Sequence, residues 1–321
     1  MLKLITSVSI ISSIVLADCN TLKQKNFKEL CEETVKEKVS KKYVVEIMNK
    51  KEFFKDDKRT LKLIEPKEIK SHRKKEKKAN KVLSKHIDKI VRNLKEYEEV
   101  YNLAEEKYNL NREIIASILM KETRLGTYEP KHSALQTLST IYKNIKPTTK
   151  RNKWLHKLSK NNIKDLIKYC YDLKVPVKNC DFKSSYIGAI GYPQFMPSSF
   201  TYIVPYKKEY SFLDNIPDSI MSVANYLNKR GNFNKKFNFS EIENMEKLEE
   251  EWYDFAKKEK NASFSFSKEG KYSCYSCEKK ELTNTRLIIK DIMKYNNSSN
   301  YAIGVLGLAW RSNQKIEEKK N

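Results

Sequence analysis

The chain has 321 residues, a length that excludes a fold too small to bury its own core and allows one large domain or two modest ones. Glycine is scarce, with seven residues, while lysine and tyrosine are abundant, so the composition favours a helical protein with an aromatic surface. The formal net charge of +23 implies attraction to an anionic polymer or surface, but it does not choose between nucleic acid, peptidoglycan and a lipid headgroup layer.

The first 17 residues have the pattern of an export signal. Lys3 gives a positive start, and the apolar run from Leu4 to Ala17 is too short for an ordinary transmembrane helix. We therefore predict a secretory signal peptide over residues 1–17 and a periplasmic location. The run Leu16-Ala17-Asp18-Cys19 also resembles a bacterial lipoprotein signal, in which a lipid on Cys19 anchors the protein to the outer membrane, although an aspartate stands where a small residue is expected. Secretion without a lipid is favoured, with lipidation and an uncleaved anchor as the alternatives.

Six cysteines in an exported chain predict disulfides. Cys170 and Cys180 are close enough in sequence to bridge across a turn. Cys274 and Cys277 fit a small loop disulfide, a redox pair or half of a zinc site. No second pair of ligands and no βαβ pattern accompany them, so a structural disulfide is the prediction. If Cys19 carries a lipid, the remaining cysteine, Cys31, loses its nearest partner.

Residues 18–82 form a predicted basic, helical N-terminal region. They are dense in lysine and glutamate, their apolar residues recur at helical spacing, and Pro66 interrupts the pattern. The run from Lys70 to Lys81 is very basic, and a solvated helix face or a linker is favoured there over a specific binding patch. From residue 83 a clear helical stripe begins, and a second helix is predicted over residues 96–107.

Residues 111–128 predict a helix that carries one carboxyl towards the core. Apolar residues at helical spacing form one face, and Glu122, four residues after Ile118, continues that face. Asn111 is the predicted cap at the start of the helix, and Gly126 is the predicted stop.

A buried position would make Glu122 unusual. Burial raises the pKa of a carboxyl and keeps it protonated near neutral pH, which is what a general acid requires. The alternative is a glutamate that turns outward or pairs with Lys121 or Arg124.

A second stretch, Gly188 to Phe200, is called the glycine loop below. Gly188 and Gly191 permit tight turns and close approach of the backbone to a ligand. Gln194 adds an amide, and two serines add hydroxyls. The stretch predicts a polar wall of a cleft, and a plain loop between two helices is the alternative.

Helices are predicted on both sides of the glycine loop. After the loop, Pro217 opens a helix that ends at Gly231, and Tyr226 lies off its apolar stripe, so this ring is free to line a cleft. The stripes before the loop lie near residues 134–142, 154–158 and 163–170.

The C-terminal third of the chain is less regular. A glutamate-rich helix is predicted near residues 242–257, and the Ser/Phe alternation at 263–267 fits a strand. A final helical region is interrupted at Tyr295-Asn296 and continues to Trp310. The tail from Gln314 is charged and is expected to be disordered.

Four sequence blocks occur in the order known from one enzyme family. They are Glu-Thr-Arg-Leu-Gly at 122–126, Gly-Ala-Ile-Gly-x-x-Gln-Phe-Met-Pro-Ser-Ser at 188–199, Ser-Val-Ala-Asn-Tyr-Leu at 222–227, and Tyr-Asn-Asn-Ser-x-x-Tyr-Ala at 295–302. In these blocks the chain resembles the membrane-bound lytic transglycosylase B family of peptidoglycan-cleaving enzymes.

The resemblance implies a mainly α protein with a lysozyme-like helical catalytic core. The catalytic domain would cover residues 83–310 and include a small accessory α/β insertion at 232–282. The helical region 18–82 precedes it, and a charged tail at 311–321 follows.

The resemblance also implies a reaction. Ordinary glycosidases use two carboxylates, and the matching blocks contain only Glu122. As the single general acid and base, Glu122 would protonate the oxygen of the β-1,4 bond between N-acetylmuramic acid and N-acetylglucosamine. It would then take the proton of the muramic acid 6-hydroxyl, which attacks its own anomeric carbon and leaves a 1,6-anhydro end without water.

Substrate contacts are implied by the same blocks. Gln194 matches the cleft glutamine of the family, and Tyr295 and Asn296 match its Tyr-Asn pair, whose ring can stack on a sugar face. Tyr301 suits the core as well as a ligand contact. The weaker candidates for substrate contact are Tyr186, Ser198 and Tyr226.

Two departures from the family pattern occur near the glycine loop. Family members usually carry an acidic, glycine-containing calcium loop after the Pro-Ser-Ser motif, but the segment 204–214 has lysines instead, so no calcium, other metal or cofactor is predicted. Tyr192-Pro193 stands where a glycine commonly precedes Gln194, so the loop shape is expected to differ.

The sequence leaves rival functions open. A non-catalytic, basic envelope protein that binds peptidoglycan or another polyanion would tolerate the loss of Glu122. A hydrolytic muramidase needs a second carboxylate or an activated water, which the blocks do not supply. Nucleic acid is not expected as a partner, since no recognition motif beyond charge occurs.

Overall fold

The computed structural model describes residues 18–231, 233–258 and 281–320. Within these residues the chain is mainly helical, as predicted. The α-helices are α1 (Lys25–Lys36), α2 (Lys41–Met48), α3 (Lys51–Phe54), α4 (Lys58–Leu63), α5 (Pro66–Leu83), α6 (Ile87–Glu96), α7 (Glu98–Tyr108), α8 (Arg112–Thr123), α9 (Ala134–Asn144), α10 (Lys150–Asp172), α11 (Ile216–Gly231), α12 (Met245–Lys258), α13 (Glu281–Ile292) and α14 (Ser299–Glu318). Two short strands, β1 (His132–Ser133) and β2 (Lys183–Ser184), pair antiparallel.

Local sequence signals set several helix starts. Side-chain oxygens of Asp57, Ser133, Thr149 and Ser298 accept hydrogen bonds from backbone N–H groups in the first turns of α4, α9, α10 and α14. Pro66 is the first residue of α5, where its missing N–H and fixed φ cost nothing. The predicted break at Pro66 is therefore a helix start.

Two large apolar clusters hold the helices together. One is built from residues of α6, α7 and α8 with α11 to α14, and the other joins α1, α2, α3, α9 and α10 to the glycine loop. Tyr295 packs against both clusters, so it lies where they meet. The catalytic candidates of the sequence analysis lie around this junction.

The structure pairs four of the six cysteines. Cys170 and Cys180 form the predicted disulfide, and Cys19 is bonded to Cys31. A sulfur in a disulfide cannot also carry a thioether lipid, so this pairing favours secretion without a lipid on Cys19. Cys274 and Cys277 lie outside the described residues.

One of two expectations about charged segments is wrong. The tail from Gln314 was expected to be disordered, but it is helical in α14 as far as Glu318. Within this part of α14 the Lys315 amino group lies 2.5 Å from the Asp88 carboxylate. The basic run 70–81 lies in α5, where its described lysines are exposed as expected of a solvated helix face, while Asn80 is buried against α14. The predicted strand at 263–267 is outside the described residues. None of the described helices is long and apolar enough to cross a membrane.

Candidate active site

Glu122 is the second-last residue of α8. Asn111 caps the start of this helix as predicted, but its amide side chain does not bond the helix and instead holds the backbone N–H (2.7 Å) and C=O (2.9 Å) of Phe237. Beyond Thr123 the backbone turns through three left-handed residues, at 124–126. This turn places the carboxyl at the end of the helix.

The end of α8 is joined to the glycine loop. The Thr123 hydroxyl donates to the Tyr192 carbonyl at 2.9 Å. A Cβ on Gly126 would lie 2.7 Å from the Tyr192 ring, so only glycine allows this approach. Gly126 therefore also lets the turn after α8 pack closely against the glycine loop.

The glycine loop is held as a narrow hairpin. Ile190 and Phe195 exchange backbone hydrogen bonds of 2.8 and 3.0 Å, and the Tyr192 N–H donates to the Leu213 carbonyl at 2.7 Å. At the tip, Gln194 is left-handed with φ 53°, and its side-chain Nε2 donates to the Gly191 carbonyl at 2.7 Å. The half-buried amide of Gln194 is thus oriented by its own loop.

The Glu122 carboxyl meets a tyrosine hydroxyl. The Tyr301 Oη donates to Glu122 Oε1 at 2.7 Å, and the glutamate keeps part of its surface exposed. Burial raises the pKa of Glu122 to about 7 despite the opposing effects of the Tyr301 hydrogen bond and the positive charge of Lys121. A carboxyl with this pKa is substantially protonated near neutral pH.

Lys121 does not neutralise its neighbour by direct pairing. Its amino group donates to the Asn80 side-chain oxygen and lies 4.8 Å from the centre of the Tyr301 ring. Arg124 is exposed beyond the helix end. Among the described residues, Glu122 therefore has Tyr301 as its hydrogen-bonding partner and not the basic residues considered from the sequence.

Tyr295 lies at the centre of an aromatic cluster beside the loop. Its hydroxyl donates to the Pro193 carbonyl, and its ring centre lies 5.2 Å from that of Tyr226 and 6.4 Å from that of Tyr301, to which it is parallel. Tyr226 is 7% exposed and its hydroxyl donates to the Lys294 carbonyl at 3.2 Å. The Tyr226 ring was expected to be free to line a cleft, but it is buried and packs against the Tyr295 ring.

The other predicted contacts are more scattered. Asn296 is exposed in the turn before α14, and Ser198 is exposed in the loop, with its N–H donating to Asn162 Oδ1 at 2.8 Å. Tyr186 packs against a separate small cluster built on Ile64, Ile141 and Leu155. The structure thus brings Glu122, Gln194 and Tyr295 to one junction and places Tyr186 against a different part of the core.

Sequence reasoning missed two contributors to this site. The sequence suits Tyr301 to the core as well as to a ligand contact, although its place in the Tyr-Asn-Asn-Ser-x-x-Tyr block is a signal. For Glu76 on α5 the sequence offers no signal of a role at the site, because this residue lies in the basic run 70–81. Its carboxylate accepts the Ser298 hydroxyl at 2.9 Å, and its negative charge raises the pKa of Glu122.

Comparison with known proteins agrees with this arrangement. Residues 22–310 match the family model described as transglycosylase SLT domain. The chain belongs to the transglycosylase SLT domain family. The predicted enzyme class is thereby confirmed, and the protein is a lytic transglycosylase that acts on peptidoglycan. No curated protein matches the chain.

Solved structures share the fold of the transglycosylase. The Escherichia coli lytic transglycosylase Slt35 in complex with bulgecin A is 19% identical, with a TM-score of 0.62 and coverage of 91% of this chain and 94% of Slt35. The soluble lytic transglycosylase SltB1 from Pseudomonas aeruginosa is 21% identical, with a TM-score of 0.54 and coverage of 72% and 80%. Pseudomonas aeruginosa SltB3 in complex with NAG-anhNAM-pentapeptide is 15% identical, with a TM-score of 0.59 and coverage of 88% and 77%. These likenesses confirm the lysozyme-like helical core.

Slt35 has also been solved in complex with calcium, which raises the question of a calcium site in the present transglycosylase. The segment 204–214 that follows the Pro-Ser-Ser motif does not fit one, because it carries Lys207 and Lys208 and few oxygen ligands. Nearby, the Asp218 carboxylate accepts from the Tyr206 N–H at 2.7 Å and from Asn215 at 2.6 Å. No group of three or more His, Cys, Asp or Glu residues in the described ranges could hold a metal ion.

Proposed function

We propose that Glu122 acts alone as the general acid and then the general base in cleavage of the bond between N-acetylmuramic acid and N-acetylglucosamine. One observation carries this proposal: a partly exposed carboxyl at the end of α8 has a pKa raised to about 7 and accepts a 2.7 Å hydrogen bond from Tyr301. Such a group is protonated often enough to give a proton and basic enough to take one back.

The proposed reaction needs no external nucleophile. The protonated Glu122 gives its proton to the glycosidic oxygen as the bond to the anomeric carbon of muramic acid breaks, and the N-acetyl group of the substrate stabilises the positive centre. The Glu122 carboxylate then accepts the proton of the 6-hydroxyl, whose oxygen bonds to the same carbon. The enzyme returns to its protonated form, and the product is a 1,6-anhydro end.

Peptidoglycan strands are the proposed partner, and the cleft residues are proposed to hold them. SltB3 was solved in complexes with NAG-NAM-pentapeptide and with NAG-anhNAM-pentapeptide, which supports both the substrate and the anhydro product for a related fold. Gln194 and Tyr295, which their hydrogen bonds to Gly191 and Pro193 hold at the glycine loop, are proposed to contact the sugars next to the cleaved bond. Contacts from Asn296, Ser198, Tyr226 and Tyr186 stay predictions.

A periplasmic location is part of the proposal. The enzyme acts on a polymer of the cell envelope, and its two disulfides suit an oxidising compartment. The signal peptide at 1–17 and the domain boundaries at 82/83 and 310/311 stay predictions.

A substrate without the internal nucleophile tests the proposed chemistry. We expect a short synthetic strand that carries 6-deoxy muramic acid to bind but not to be cleaved, because the oxygen that must attack is missing. The matched strand with the 6-hydroxyl is the control, and fragments are separated by chromatography. Cleavage of the 6-deoxy strand at the rate of the control would show that water attacks and that the enzyme is a hydrolase.

The pH profile of a Tyr301→Phe variant tests the environment of Glu122. For the wild type we expect kcat/KM to fall as pH rises through about 7, because the acid loses its proton there. The Tyr301 hydroxyl stabilises the carboxylate form, so its removal raises the pKa of Glu122 and moves the fall to higher pH, by on the order of one unit. Tyr210→Phe, at an exposed tyrosine, should leave the profile in place. A shift to lower pH in Tyr301→Phe would contradict the assigned role of the hydroxyl.

A further inference from the structure

Helix α5 is fastened to the first turn of α14. Asn80 Nδ2 donates to the Asn300 carbonyl and to the Tyr253 hydroxyl, both at 2.8 Å. A Cβ on Gly304 would lie 2.4 Å from the Asn80 side chain, so the glycine lets the two helices approach. The basic N-terminal region therefore contributes a rigid element to the catalytic core.

Glu76 lies one turn before Asn80 and faces the same way. Its Oε2 accepts the Ser298 hydroxyl at 2.9 Å, and the same Ser298 oxygen accepts the Tyr301 N–H at 3.2 Å. A serine hydroxyl has one hydrogen to donate and lone pairs to accept, so the two contacts fix it in one orientation. Ser298 is thus the N-cap of α14 and is itself held by Glu76.

Tyr301 lies in the first turn of α14, and its hydroxyl donates to Glu122 at 2.7 Å. A continuous chain of contacts consequently runs from Glu76 through Ser298 and Tyr301 to the catalytic candidate. We propose that Glu76 is a positioning residue for Glu122, acting through the Ser298 cap of α14 and the Tyr301 hydroxyl. This inference rests on the proposed role of Glu122 as the general acid.

The charges around Glu122 support the assignment. The groups whose charge or titration is coupled to this carboxyl are Lys121 on α8, Glu76 on α5, Tyr301 on α14 and Tyr295 in the preceding turn. Glu76 raises the pKa of Glu122 and Lys121 lowers it. Because one Glu76 oxygen is held by Ser298, we assign Glu76 to positioning and not to the second carboxylate that a hydrolase needs.

Four variants separate the effect of the Glu76–Ser298 hydrogen bond from the effect of the negative charge of Glu76. Glu76→Ala and Ser298→Ala each break the contact, and we expect a fall of about tenfold in kcat with little change in KM, because the acid is displaced while sugar contacts remain. The double variant should lose no more than either single variant, since both act through one contact. Glu76→Gln keeps an acceptor for Ser298, so it should retain most of kcat.

The pH dependence of kcat/KM is a second measurement, and it would not change if Glu76 only stabilised the fold. In Glu76→Gln the loss of a negative charge lowers the pKa of Glu122, so the fall in kcat/KM should move to lower pH. In Lys121→Gln the loss of a positive charge should move it to higher pH. The matched control is Glu106→Gln, an equal charge change at an exposed position of α7, which should leave both kcat and the profile unchanged.

Three results would overturn the inference: wild-type kcat in Glu76→Ala, additive losses in the double variant, or an unmoved pH profile in Glu76→Gln. Glu122→Gln, assayed in parallel, distinguishes a failure of the positioning role of Glu76 from a failure of the acid–base role of Glu122. If it is inactive while Glu76→Ala has wild-type activity, the positioning role fails and the role of Glu122 stands. If it retains activity, the proposed function itself fails.

Discussion

A Glu122→Gln variant is expected to bind peptidoglycan and to release almost no fragments. The amide has the shape of the protonated acid but neither gives nor accepts the proton at the glycosidic oxygen and the 6-hydroxyl. General acid–base catalysis typically contributes about 10²–10⁴-fold, and we expect a loss in kcat of at least that order. Turnover is measured by release of soluble fragments, with a pull-down on insoluble peptidoglycan to show that binding persists.

The stability of the same variant provides its control. The pKa of Glu122 is raised from 4.5 to about 7 in the folded protein, so ionisation disfavours folding as pH rises. Below pH 4.5 the Glu122 carboxyl is protonated in the folded and the unfolded wild type, so it does not lower the free energy of unfolding. As pH rises from 4.5 to about 7, the free energy of unfolding falls, because the unfolded chain ionises this group more readily than the folded protein does. Glu122→Gln avoids that loss, and above this range its free energy of unfolding should exceed that of the wild type by up to about 3 kcal/mol.

Urea unfolding at pH 5 and pH 8 measures this difference, which should grow with pH. Glu106→Gln, the exposed control, should show the wild-type dependence. An inactive variant that is also less stable than the wild type at pH 8 would contradict the account, since inactivity would then reflect damage to the fold.

A Gly191→Ala substitution is expected to cause the largest loss of stability among the glycine variants of the loop. Gly191 has φ +73°, and a Cβ there would lie 2.5 Å from the Leu213 Cβ and 2.6 Å from its carbonyl oxygen. Left-handed backbone and overpacking each cost about 1–3 kcal/mol, so we expect the free energy of unfolding to fall by roughly 3 kcal/mol. Activity should fall as well, because Gln194 bonds the Gly191 carbonyl.

Gly231→Ala is the matched comparison. Gly231 is the last residue of α11, its φ is not in the left-handed range, and the nearest atom to an added Cβ is the Asp291 carbonyl oxygen at 3.4 Å. Alanine favours a helix over glycine by up to about 1 kcal/mol, so this variant should be neutral or slightly stabilised. Equal thermal unfolding midpoints for the two variants would show that Gly191 is not a constrained position.

Local sequence patterns predict much of the fold, while the four sequence blocks of the family resemblance point to Glu122 as the catalytic acid. Helical periodicity predicts α8 and puts Glu122 on its apolar face, with an outward or paired glutamate as the alternative, and scarce glycines predict the loop, because both signals lie within a few neighbouring residues. Tyr301 was ambiguous because it lies on the apolar stripe of α14, and its hydroxyl meets Glu122 only in the folded protein.

Long-range contacts explain what the sequence analysis missed or got wrong. Glu76 stands among lysines, and nothing nearby in sequence indicates that Ser298 will reach it. The charged tail was expected to be disordered, yet Ser312 is buried and Lys315 pairs with Asp88. Tyr226 lies off the apolar stripe but is covered by other aromatic rings, which helical spacing alone does not reveal.

The central claim is that Glu122 cleaves the glycan with the substrate's own 6-hydroxyl as nucleophile. Mass spectrometry of the fragments released by residues 18–321, beside the Glu122→Gln variant, tests it most directly. The account predicts fragments one water lighter than hydrolysis products from the wild type and none from the variant. Fragments with ordinary reducing ends, or anhydro fragments from the variant at the wild-type rate, would contradict it.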